Sequence, residues 1–275
     1  MFFNILHLGI ILDTVNMECR LPIDKLEQIK EFISQFLHKK CLTKREALQL
    51  LGHFNFAARV ILPGRAFTSF LIGTTTKVSK LHHHIRLNHE AREDLLMWYK
   101  FLCNWNRVSM FHNKTLISSA DIELFTNASS NFGFGGYFQG EWFSASWPYD
   151  INLFKSNKIV SMTFRELYPI VVASVIWGNR WKGLKILFNC DNMAVVNILN
   201  KGRSSDPASS KLMRTLAFTA AQNSFMIYSR FVPGNSNVIA DALSRFQLQR
   251  FHRAAPQAQE QSVVVPHMSS IVWQN

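Results

Sequence analysis

A chain of 275 residues with 48% apolar and only 17% charged residues can bury one or two cores, two being preferred, and is too apolar for a disordered chain. Thirty Lys and Arg against 18 Asp and Glu give a formal charge of +12, which favours a polyanionic partner such as nucleic acid without naming one. The cysteines Cys19, Cys41, Cys103 and Cys190 form no CxxC pair and no short disulfide-like spacing, so they read as reduced thiols in an intracellular setting, cytoplasm or nucleus.

The opening "MFFNILHLGIILD" is apolar but lacks a basic start and a small-residue cleavage site. Asp13 also stops it short of the ~20 residues a membrane helix needs, so neither export nor a membrane span is expected. "HLGIIL", a polar turn from Asp13 to Asn16, and "MECRLP" alternate as a hairpin would. From Asp24 to Lys40, apolar Leu26, Ile29, Phe32, Ile33, Phe36 and Leu37 recur at helical spacing. Thr43 lies three residues before Glu46, which predicts a capping box opening a helix that carries Leu48, Leu50, Leu51 and Phe54. A further helix is expected after Pro63, and Asn88 is placed to cap one running through "HEAREDLLMWYKFLCNW". Residues 1–105 are thus expected to form a helical subdomain with a β-hairpin at its front. Its histidines His82, His83, His84 and His89 read as a loop cluster, because adjacent histidines point in different directions and no carboxylate or cysteine lies at ligand spacing.

Past Asn106 strands and helices alternate. "IELF", "FGFGGYFQ" and "EWFSASW" read as strands, the last two joined by a tight turn at Gln139 and Gly140. A helix over "TFRELYPIVVASVIWGNRW", a strand "LKILFN", a helix "DNMAVVNILNKG" ending at Gly202 and a helix "PASSKLMRTLAFTAAQNS" follow. A strand "FMIYSRFV", a Pro-Gly turn and a last helix "SNVIADALSRFQ" complete an α/β domain, residues 106–250, with a mixed sheet flanked by helices. Beyond Arg250, Gln, Ala, Pro and Ser predominate, so residues 251–275 are expected to be a flexible tail.

Residues 106–275 hold nine acidic residues against sixteen Lys and Arg, so acids in apolar surroundings stand out. Glu166 opens a helix, Asp191 ends a strand, and Asp241 lies within the last helix. Each has a structural role open to it: Glu166 can close a capping box with Thr163, Asp191 can cap its helix, and Asp241 can pair with Arg245. Together they suggest more, because carboxylates converging at one sheet end repel one another unless a cation lies between them. Oxygen-only ligands point to magnesium or manganese, and paired ions suit phosphodiester hydrolysis.

With "FTNASSNFGFGGYF", "ELYPIVVA", "FNCDNMAVVNILNKGRS" and "FVPGNSNVIADALSR", the chain resembles the ribonuclease H domain of retroelement reverse transcriptases, the DIRS-like tyrosine-recombinase type in particular. "HLGIILD", "LTKREALQLLGHFNFAARVILPGRAF" and "HHHIRLNHEAREDLLMWYKFL" resemble the thumb and connecting segment that precedes that domain, so the likeness covers nearly all of residues 5–255. The resemblance implies a five-stranded mixed sheet and four metal-binding acids, which fall on Asn127, Glu166, Asp191 and Asp241. The first is not an acid. Family members read "TDAS" where this chain has "TNAS", and the aspartate expected there contacts both ions. An asparagine keeps the size and one carbonyl oxygen but not the charge, so the site is expected to fold yet be hydrolytically crippled. Asn235 stands where some ribonucleases H carry a mobile histidine, and no YxDD-like motif occurs, so DNA synthesis by this chain alone is not expected.

Three functions follow as expectations. The first is a nucleic-acid-binding retroelement fragment that holds RNA–DNA hybrid or duplex with impaired hydrolysis. An active magnesium- or manganese-dependent hybrid ribonuclease is the second, and a relic without selected function the third. Trp142, Phe143 and Trp147 can stack on bases, although core packing is the preferred use of most aromatics here. Oligomeric state is not legible.

Overall fold

The computed structural model describes residues 4–104, 108–110, 116–148, 151, 160–234 and 237–272. The chain divides into two compact units, Met1–Phe111 and His112–Gln274, a few residues beyond the division expected after residue 105.

In the first unit, the expected hairpin is a three-stranded meander of β1 (Asn4–His7), β2 (Ile10–Asp13) and β3 (Glu18–Arg20). The difference arises because Leu8 and Gly9 both take positive φ, 49° and 77°, the geometry of a two-residue hairpin turn inside "HLGIIL". The second turn is the expected one, with the Asp13 carboxylate accepting the Val15 and Asn16 backbone N–H groups. Helix α1 (Ile23–Leu37) buries Leu26, Ile29, Ile33 and Phe36, the face its spacing predicts. Strand β4 (Cys41–Thr43) leads into α2 (Lys44–Ala57) through the predicted capping box, in which the Glu46 N–H donates to Thr43 Oγ1 and the Thr43 N–H to the Glu46 carboxylate. Of the apolar residues it carries, Leu50, Leu51 and Phe54 are buried with Ala47 and Ala57, and Leu48 is exposed.

The segment after Pro63 begins as a 3₁₀ turn, Leu62–Thr68, before α3 (Ser69–Thr75). Strand β5 (His84–Arg86) pairs with β4, and α4 (His89–Asn104) starts with Asn88 Oδ1 accepting the Ala91 N–H. The core is centred on Trp98, stacked on Phe54 at 4.5 Å and donating its indole N–H to the Phe67 carbonyl. Strand β6 (Val108–Met110) then adds to β3, which is why the first unit extends past residue 105.

In the second unit, β7 (Leu116–Ser118) and β8 (Leu124–Ala128) precede the hairpin of β9 (Gly133–Phe138) and β10 (Glu141–Ser146). Its turn is the predicted one, with Gln139 and Gly140 at φ 49° and 90°. Helix α5 (Met162–Trp177), strand β11 (Lys185–Cys190), helices α6 (Met193–Lys201) and α7 (Pro207–Gln222), strand β12 (Met226–Phe231) and helix α8 (Val238–Ser244) follow in the expected order. The fold class is mixed α/β.

The single five-stranded sheet implied by the resemblance is not seen; the described residues form two three-stranded sheets instead, β10-β9-β8 antiparallel and β12-β11-β7 parallel. The chain turns between Ser118 and Leu124, with Glu123 at φ 53°, so β7, which was not among the expected strands, pairs with β11, while β8 pairs with β9. Both sheets contribute to one core: Leu124, Phe134, Phe138 and Phe143 join Ile186 and Phe188 around α5, which is buried nearly all round.

The tail expected to be flexible is instead held in its described part. Helix α9 (Leu248–Ala254) buries Phe251 completely. The Gln259 and Val263 N–H groups donate to the Gly140 and Trp142 carbonyls, and after α10 (Met268–Ile271) Val272 is buried with Met268 and Ile271. A few apolar anchors in a polar stretch suffice to fasten it, and average composition hides them.

Candidate active site

The four residues singled out above lie on four elements of the second unit. Asn127 is the penultimate residue of β8, paired with Gly135 of β9. Its side-chain amide donates to Asp241 Oδ1 and to Ser244 Oγ, each at 3.4 Å, which joins β8 to α8. The glycine-rich run of β9 makes this approach possible: a Cβ on Gly135 would strike Leu243 of α8, so only a bare backbone lets that helix lie so close. Asn237 fastens the start of α8 by donating its amide to the Thr126 carbonyl at 2.9 Å.

On the other side of Asn127, the backbone amide of Ala128 favours the charged form of the Glu166 carboxyl. Glu166 is buried on α5. Burial first, and then the charge of Asp191, push its carboxyl up to about 8, so it holds its proton at neutral pH. The capping box with Thr163 does not form, because the helix starts earlier and Ser161 accepts the Phe164 N–H. Asp191 is not a cap either, since Asn192 accepts the Ala194 and Val195 N–H groups. The Asp191 carboxylate is exposed at the end of β11, with Gly234 so close that a Cβ there would collide with it. Burial pushes the adjacent Cys190 thiol up to about 12, and the charges of Glu166 and Asp191 add to that.

Asp241 makes the pairing with Arg245 that its spacing suggested, and a second one that it did not. Its Oδ1 lies 2.8 Å from Arg245 Nε, and its Oδ2 lies 2.7 Å from Nη1 of Arg250 on α9. Partial burial opposes its charge, yet the two guanidiniums hold its carboxyl below the usual carboxylate range. No sequence signal marked Arg250, nine residues on and at the last position of the expected domain.

The structure therefore links all four residues: Asp241 to Asn127 by side chains, Asn127 to Glu166 through the next amide, and Glu166 to Asp191 by charge. The donor set does not fit a pair of divalent ions. Asn127 offers a neutral amide, and the Asp241 oxygens are engaged by arginines. Among the described residues no three His, Cys, Asp or Glu side chains gather as a metal site, the histidines of the first unit included. There, His82 and His84 are exposed, and His89 Nε2 lies 3.8 Å from Glu93. Asn235 lies outside the described residues. No helix among the described residues is long and apolar enough to cross a membrane. Compared with protein-family models and with curated proteins, the sequence shows no match.

Proposed function

We propose that this chain is a reverse transcriptase and ribonuclease H fragment of retroelement descent that binds nucleic acid, RNA–DNA hybrid or duplex, with hydrolysis of the RNA strand impaired. The fold proposed with it is a ribonuclease H-like sheet whose first strand is broken in two. One observation carries the functional reading: at the position where the resemblance calls for a two-metal aspartate, Asn127 donates its amide to Asp241, whose own oxygens face guanidiniums. A neutral amide cannot neutralise two divalent ions, and ion stabilisation of a phosphoryl transition state is worth several kcal/mol, with each ~1.4 kcal/mol being tenfold in rate. The net charge of +12 supports the binding half.

A labelled RNA–DNA hybrid titrated with the full chain tests both halves. Binding that weakens steeply with salt and leaves the RNA intact in magnesium or manganese is the expected result. Absence of binding at low salt would overturn the first half, and metal-dependent cleavage of the bound hybrid by the wild-type chain would overturn the second. A residual hybrid ribonuclease is the alternative that the neighbouring Glu166 and Asp191 carboxyls favour.

A further inference from the structure

Asp241 sits between two kinds of cation partner. Arg245 is four residues along the same helix, a surface pairing that any exposed helix can make and that need not exclude other ligands. Arg250 differs in kind because it arrives from the next helix. Its Nη1 also donates to Gln247 Oε1 at 2.9 Å, and the residue after it, Phe251, is fully buried against Tyr137 and Trp142. The strap beyond α9 is fastened in turn to Gly140 and Trp142 of the β9–β10 hairpin. The guanidinium is thus delivered by an anchored element rather than by a free side chain.

We infer that Arg250 serves as a built-in counter-ion that closes Asp241 to divalent metal, so that two changes, not one, separate this site from a metal-binding one. The inference rests on reading the four residues as a former cation site. With Arg250 in place, Asn127→Asp alone adds a carboxylate beside an Asp241 whose second oxygen is already taken. An incoming ion must then displace a positive charge 2.7 Å from its ligand.

The test is manganese binding by the full chain without nucleic acid, read from the loss of the free-ion electron paramagnetic resonance signal. Arg250→Gln keeps part of the aliphatic stem and removes the charge. The expected order is weak binding by the wild type, less than a threefold gain for Asn127→Asp, and at least a tenfold further gain for Asn127→Asp/Arg250→Gln. Asp241→Asn in the double variant should abolish that gain. Asn127→Asp/Arg250→Lys, which keeps a cation at the position and covers the case of a glutamine variant that does not fold, should bind no better than Asn127→Asp.

If Asn127→Asp binds as tightly as the double variant, or if the lysine variant binds tenfold better than Asn127→Asp, the inference fails while the cation-site reading stands. If no variant binds manganese, both fail. Hybrid binding by the wild type is measured separately and is untouched by either outcome.

Discussion

Burying one carboxyl beside another costs free energy that depends on pH, and Glu166 is placed to show it. Its ordinary value is 4.5 and its folded value about 8. Below the first, both folded and unfolded chains hold the proton. Between the two, the unfolded chain releases it while the folded chain keeps it, so stability falls as pH rises and levels off above about 8. Glu166→Gln removes the titrating group while keeping the size and shape of the side chain. Urea unfolding should show a flatter pH profile and a gain of ~1–3 kcal/mol at alkaline pH, the usual scale for a poorly compensated buried polar group. A variant as pH-dependent as the parent would count against the buried position of Glu166. Asparagine at 127 has the opposite character: its amide suits the neighbouring Asp241 oxygen, where an aspartate would face a like charge.

The helix carrying Asp241 reaches the sheet because its partner strand has no side chain at Gly135. On β9, a Cβ at Gly135 would meet Leu243, and one at Gly136 would meet the Phe143 ring. Backbone yields less readily than a side-chain tip, so Gly135→Ala should push α8 away and cost ~1–3 kcal/mol in urea unfolding. It should also loosen the Asn127–Asp241 contact. Gly52, by contrast, has open space around it, and Gly52→Ala serves as the control expected to be neutral or slightly stabilising. The β1–β3 meander differs from these buried elements. It leaves Ile5, Leu6, Leu8, Val15 and Met17 exposed, and two of its turn residues, Leu8 and Met17, hold positive φ without being glycine. Few buried contacts secure it, so hydrogen exchange should find its amides the least protected among the strands of the first unit. Strong protection throughout Asn4–Arg20 would contradict this.

Across the whole chain the excess of positive charge is spread rather than local, with fifteen Lys and Arg against nine acids in Met1–Phe111 and fifteen against nine in His112–Gln274. Each unit is thus basic by itself. Binding driven by phosphate contacts should weaken by about a thousandfold between ~50 and ~200 mM salt if about six phosphates are engaged. A flat salt response measured by fluorescence anisotropy would point to the relic reading. Thermal unfolding in the presence and absence of magnesium gives the matching stability measurement. A site closed by Arg250 predicts no rise in melting temperature at millimolar magnesium, whereas an ion bound only by the folded state must raise it.

Local signals carried most of the elements. The Thr43–Glu46 capping box, the Asn88 cap, the Gln139–Gly140 turn and the α1 periodicity each depend on residues a few positions apart, and the structure contains all of them. The candidate acids were legible because a carboxylate in an apolar strand or helix is anomalous wherever it ends up. What the tertiary structure alone decided involves partners far apart in the chain. The division of the strands between two sheets, the pairing of β6 with β3, the fastening of the tail and the pairing of Asp241 with Arg250 belong to this group. Such contacts depend on which surfaces are left unsatisfied once the local elements have formed, and no periodicity or spacing along one chain records that.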